Sequence, residues 1–135
     1  MRVADRSLID FSFHQIEVFV EEIAPVDEVF VCVQGNSADQ IRDHCKENEL
    51  SFKINCVSPK DCGTDHYRGN AHALISMQPM LEHHENIIVL SSDIITDFPL
   101  SCLFSNHLYN KTMNNAVATI GLTYVTAQEA LGRYG

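Results

Sequence analysis

The 135-residue sequence predicts an α/β fold, a doubly wound and mostly parallel sheet held between two layers of helices. Three observations predict it. Helical and strand-like segments alternate along most of the chain, as a sheet with crossover helices requires. The strand candidates EVFVCV, KINCV and IIVL are apolar runs without a period of two, which is how strands covered on both faces read. The third ends abruptly at Ser91, Ser92 and Asp93, and ligands of such sheets bind outside the carboxyl ends of the strands.

The elements follow in order. Leu8, Ile9, Phe11, Ile16, Phe19, Val20 and Ile23 recur at steps of about three to four, which predicts an amphipathic helix over residues 7–22, capped by Ser7 and stopped before Pro25. Residues 28–33 are a β-branched and aromatic run closed by Gln34 and Gly35, a buried strand. Ser37 caps a helix running to about residue 49, with Ile41 and Cys45 on one face. Residues 53–57 form the second strand, and SPKDCGTDHYRGN after it, rich in Pro, Gly, Asp and Asn, is a long loop. A helix over residues 71–82 carries Ala73, Leu74, Met77 and Leu81 on one stripe; its late Pro79 is placed to kink or shorten the last turns. Residues 87–90 are the third strand, residues 100–109 a helix and residues 116–122 the fourth strand. Residues 126–135 hold a frayed helical turn.

One domain fits this length, with roughly two thirds of the unfolded surface buried. Hydrophobic residues make up 45% and charged residues 20%, and no apolar run reaches the 18 or so residues that span a bilayer. The start, MRVADRSLID, has no continuous apolar segment and no small-residue cleavage site, so a secretory signal is not expected and a cytosolic location is. The formal sequon Asn110-Lys111-Thr112 then has no access to glycosylation. A net charge of −9 opposes attraction to polyanions, which weighs against direct nucleic-acid binding. Five cysteines without a CxxC predict reduced, partly buried thiols.

An aspartate just past a buried strand can hold a divalent cation that grips phosphates, or it can cap the turn that follows; Asp93 fits both. Asp97 before Phe98 and Pro99 reads as a helix N-cap. Cys62, His66 and His72 match no compact zinc spacing, and His83 and His84 between Glu82 and Glu85 read as a solvated helix end. Neither a G-x-G-x-x-G fingerprint nor a P-loop occurs, and no cysteine has the context of a nucleophile.

VADRSLIDF, EVFVCV, RGNAHALISMQPML and IIVLSSDIITD, in this order, resemble the nucleotidyltransferase-like domain of the sugar-nucleotide pyrophosphorylases. Within that family they are most similar to the gamma-type subunits of eukaryotic translation initiation factor two-B, the guanine nucleotide exchange factor for initiation factor two. The resemblance runs to about Thr123 and implies a single Rossmann-type, three-layer domain over residues 1–135, with the family's first strand and Gly-rich phosphate loop missing ahead of MRVADRSLI. It places the family's base-binding Gly-Thr-Ala turn on Gly69, Asn70 and Ala71, with Asn for Thr, or alternatively at Gly63 and Thr64. Asp93 matches the magnesium aspartate. Without the phosphate cradle this implies a relict GTP and magnesium site, no catalysis, and a role in pairing with the epsilon and other subunits of the exchange factor and with initiation factor two. A pyrophosphorylase-type enzyme with an incomplete start is the alternative, and an orphan fragment with an exposed sheet edge a third.

Overall fold

The computed structural model describes residues 2–3, 6–34, 37–46, 50–122 and 127–128. The chain divides into two compact units, Met1–Asp97 and Phe98–Gly135.

The first unit begins with a short antiparallel pairing absent from the sequence reading, β1 (Arg2–Val3) with β2 (Arg6–Ser7). It feeds α1 (Leu8–Glu22), whose start is fixed by Ser7 at the N-cap and Asp10 at the third helical position; the Ser7 N–H donates to Asp10 Oδ2 at 2.8 Å. The helix ends where the Ile23 N–H closes on the Phe19 carbonyl at 2.9 Å, two residues short of Pro25. Phe13 and Phe19 are buried along its inner face, and Phe13 meets Phe52 edge to face with centroids 6.0 Å apart.

β3 (Glu28–Cys32) and β4 (Lys53–Val57) pair in parallel, in register from Glu28 opposite Lys53 to Cys32 opposite Val57. The Val33 N–H prolongs the ladder by donating to the Val57 carbonyl at 2.9 Å. α2 (Ser37–Lys46) joins them and packs on β4, giving the β-α-β unit the alternation predicts. Residue 49, its expected end, lies outside the described residues. Beyond β4, a 3-10 turn (Pro59–Cys62) opens with Asp61 accepting from the Ser58 N–H and hydroxyl, and closes at Gly63 in the left-handed region, φ 69°.

The expected helix over residues 71–82 is two, α3 (Asn70–Ser76) and α4 (Gln78–Leu81), jointed at Met77. Pro79 is the cause: it has no N–H to give and is tolerated only in a first turn, so a new helix starts just ahead of it. Of the predicted stripe, Ala73, Met77 and Leu81 are buried, and Leu74 is left exposed. Met77, Leu81 and Val57 form a core cluster with Phe30, Cys62 and Met80 against it.

Two expected strands are not formed. Residues 87–90 and 116–122 run without ladder partners, and the only pairings among the described residues are β1 with β2 and β3 with β4. Both segments have strand composition, but a strand exists only beside another, and neither is paired among the described residues. Ile87 and Val89 in the first and Val117, Ile120 and Leu122 in the second are therefore exposed. The parallel sheet is thus a partial one, of two strands.

The second unit is built on α5 (Leu100–Asn114), five residues longer than the sequence predicts. Side-chain bonds four residues apart carry it on: Asn110 Nδ2 to the Asn106 carbonyl, Thr112 Oγ1 to the Leu108 carbonyl, and Asn114 Nδ2 to Asn110 Oδ1. Asn115 stops it in the left-handed region, φ 53°. The chain then doubles back, bringing Thr119 Oγ1 within 3.1 Å of His107 Nδ1 and Gly121 beside Leu103. Asp97 is not the cap; Pro99 holds that position, its carbonyl taking the Cys102 and Leu103 N–H groups. No helix among the described residues is long and apolar enough to cross a membrane.

Candidate functional site

Asp93 sits in a turn rather than at the end of a paired strand. The Ile94 N–H donates to the Ser91 carbonyl at 3.3 Å, and the Ser91 hydroxyl donates to Asp93 Oδ1 at 2.5 Å. The carboxylate is exposed. A single hard oxygen ligand of this kind is what magnesium uses when its other positions go to water and phosphate oxygens, so the donor type fits that ion. Among the described residues, no three His, Cys, Asp or Glu side chains gather around a metal position.

Gly69, Asn70 and Ala71 start α3. Gly69 takes φ 95° and ψ 175°, a region open in practice to glycine alone, and its carbonyl accepts the Ala73 N–H at 3.1 Å. A Cβ at Gly69 would meet nothing within 4 Å, so backbone conformation and not space requires the glycine. His72 Nδ1 accepts the Arg68 N–H at 3.0 Å, tying the loop to the helix it enters. Gly63, the alternative turn, is the left-handed stop of the 3-10 helix, and Thr64 Oγ1 bonds the His66 carbonyl at 3.3 Å. Among the described residues, no hydrogen bond or ion pair joins Asp93 to Gly69, Asn70 or Ala71.

A family model described as nucleotidyl transferase matches residues 1–134. The chain belongs to the nucleotidyl transferase family. Neither the curated proteins nor the solved structures returned a match. For this member the family match extends across both strand-forming and unpaired segments.

Three features of this nucleotidyl transferase chain escape sequence reading. Asp10 of α1 pairs with His44 of α2, Oδ1 to Nε2 at 2.5 Å. Burial alone would raise the Asp10 carboxyl; the His44 and Ser7 hydrogen bonds outweigh it and hold it below the usual value. An open groove of about 430 Å³ runs over the sheet, lined by Glu28, Phe30, Lys53, Asn55, Asp61 and Met80. Its charges are largely self-paired: Lys53 Nζ and Asn55 Nδ2 both donate to Glu28, at 2.6 and 3.1 Å, and the Lys53 bond holds the Glu28 carboxyl low. Third, the Tyr67 phenol is pushed up by burial and then by its hydrogen bond with Cys62, at 3.5 Å.

Proposed function

We propose that this nucleotidyl transferase domain acts by pairing with a second subunit, as a non-catalytic, gamma-type component of the initiation factor two-B exchange complex. The epsilon subunit is its direct partner, initiation factor two its client in the cytosol, and GDP release the reaction it supports. The observation that carries the reading is the apolar run around Asp93: Ile87, Val89, Ile94 and Ile95 are each 48–65% exposed in one stretch of the first unit. Contiguous exposed aliphatic side chains of this kind mark surfaces that are covered in an assembly. The ordered resemblance of IIVLSSDIITD to the gamma-type subunits supports the choice of partner. Co-purification of the tagged chain tests it. Epsilon subunit and initiation factor two come with the wild-type chain and are lost with Val89→Asp; association that survives this change, or neither protein recovered with the wild type, overturns the reading.

A second reading rests on Asp93 itself. An exposed carboxylate of magnesium-ligand type supports nucleotidyl transfer, in which the ion neutralises phosphate charge as a nucleotide moves to an acceptor. Magnesium-dependent turnover of nucleoside triphosphate that vanishes in Asp93→Ala would establish it.

A further inference from the structure

β3 is an edge strand whose outer side is bare. In a parallel ladder every second residue turns both backbone groups toward the neighbouring strand. The Val33 N–H donates to the Val57 carbonyl at 2.9 Å, so Val29, Val31 and Val33 face β4, and Glu28, Phe30 and Cys32 turn their N–H and C=O groups away from it. Among the described residues β4 is the one strand beside β3, and the outward groups of Glu28, Phe30 and Cys32 have no hydrogen-bond partner. Glu28 to Val31 are half-buried, and backbone groups taken from water cost free energy until they are paired. Proteins blunt such edges with proline, a bulge or a projecting charge. EVFVC has neither proline nor bulge, and its one charge, Glu28, is turned to Lys53 and Asn55 of β4.

The outward pattern is self-complementary. Laid antiparallel on a second copy about Phe30, β3 sets Phe30 opposite the second copy's Phe30 and Glu28 opposite the second copy's Cys32, and each of these residues is one that faces outward. Facing pairs of this kind exchange two N–H···O=C bonds each, and a shift by one residue would set outward groups against inward ones. The opposed Phe30 rings then lie side by side on one face. β4 offers less, since it turns only Ile54 and Cys56 outward and α2 packs on it. A two-stranded sheet is marginal alone, and three or more strands give independent stability. We propose that two copies of this chain join through β3, antiparallel across a two-fold axis, into one sheet of order β4-β3-β3-β4. The surface is separate from the exposed run between residues 87 and 95 and needs no other subunit.

The test is sedimentation velocity of the reduced chain over a concentration series, paired with amide hydrogen exchange read residue by residue. About 0.15 M sodium chloride screens the repulsion between chains of charge −9 beyond roughly 8 Å. A reversible dimer is expected, in which the Phe30 and Cys32 amides slow as the dimer forms, while Val29 and Val31 are protected at every concentration. Cys32→Pro removes an outward N–H and no ladder bond, so it raises the dissociation constant by about tenfold or more. Cys32→Ser keeps the dimer, and so does Val89→Lys. A monomer at every concentration, a dimer whose Phe30 and Cys32 amides stay fast, a dimer indifferent to Cys32→Pro or one lost in Val89→Lys overturns the interface. Circular dichroism checks that Cys32→Pro is folded; if it is not, the exchange pattern of the wild type decides alone.

Discussion

Asp10 is tied to two partners at once, the N-terminus of its own helix and His44 of α2. Because its carboxyl is held below the ordinary value of 3.8, its contribution is complete above that pH and disappears as pH falls through the lower folded value. Asp10→Asn should accordingly flatten the acid limb of the stability curve, measured as urea midpoints between pH 6 and about pH 3, and leave the curve's shape near neutrality unchanged. At Gly69 the sign comes from φ 95°. Gly69→Ala should cost about 1–3 kcal/mol in chemical denaturation, with the strain in the backbone, since a methyl group there touches nothing. Neither effect could be read from residue identities alone. Ser7 and Asp10 spell a cap, but His44 lies 34 residues on and meets Asp10 only once α2 is laid down beside α1.

Among the elements, those whose signals are local were legible and those that depend on a distant neighbour were not. α1 announces itself through Ser7, its apolar stripe and Pro25; β3 and β4 through short apolar runs closed by turn residues. Residues 87–90 and 116–122 carry the same strand composition, but composition cannot supply a partner, and they stay unpaired. Pro79 was legible as an interruption, and its effect is to move Met77 into a joint where it anchors the core. Phe13, 4% exposed against Phe52, and Met77, 3% exposed, carry much of the packing. Phe13→Ala should cost about 3–5 kcal/mol and Met77→Ala about 2–5 kcal/mol, read as loss of denaturant midpoint at constant slope. The site was legible only in part: Asp93 stood out, while the paired strand expected to end on it did not form among the described residues.

For the whole molecule, a charge of −9 and an apolar run bared between residues 87 and 95 act against each other. Like charge keeps chains apart, but an exposed aliphatic segment invites association, and the effect of charge weakens with salt. Light scattering of the isolated chain should therefore rise with sodium chloride concentration, and Val89→Lys should suppress the rise. The β3-α2-β4 unit has a different consequence, for the order of events in time. Only 20 residues, 33 to 52, separate the two paired strands, and a helix shortens the span further. Closing so short a loop costs little entropy, which favours early formation of this pair over any that spans more of the chain. A chain emerging from the ribosome could complete it once Val57 is clear, before residues 87–95 have emerged.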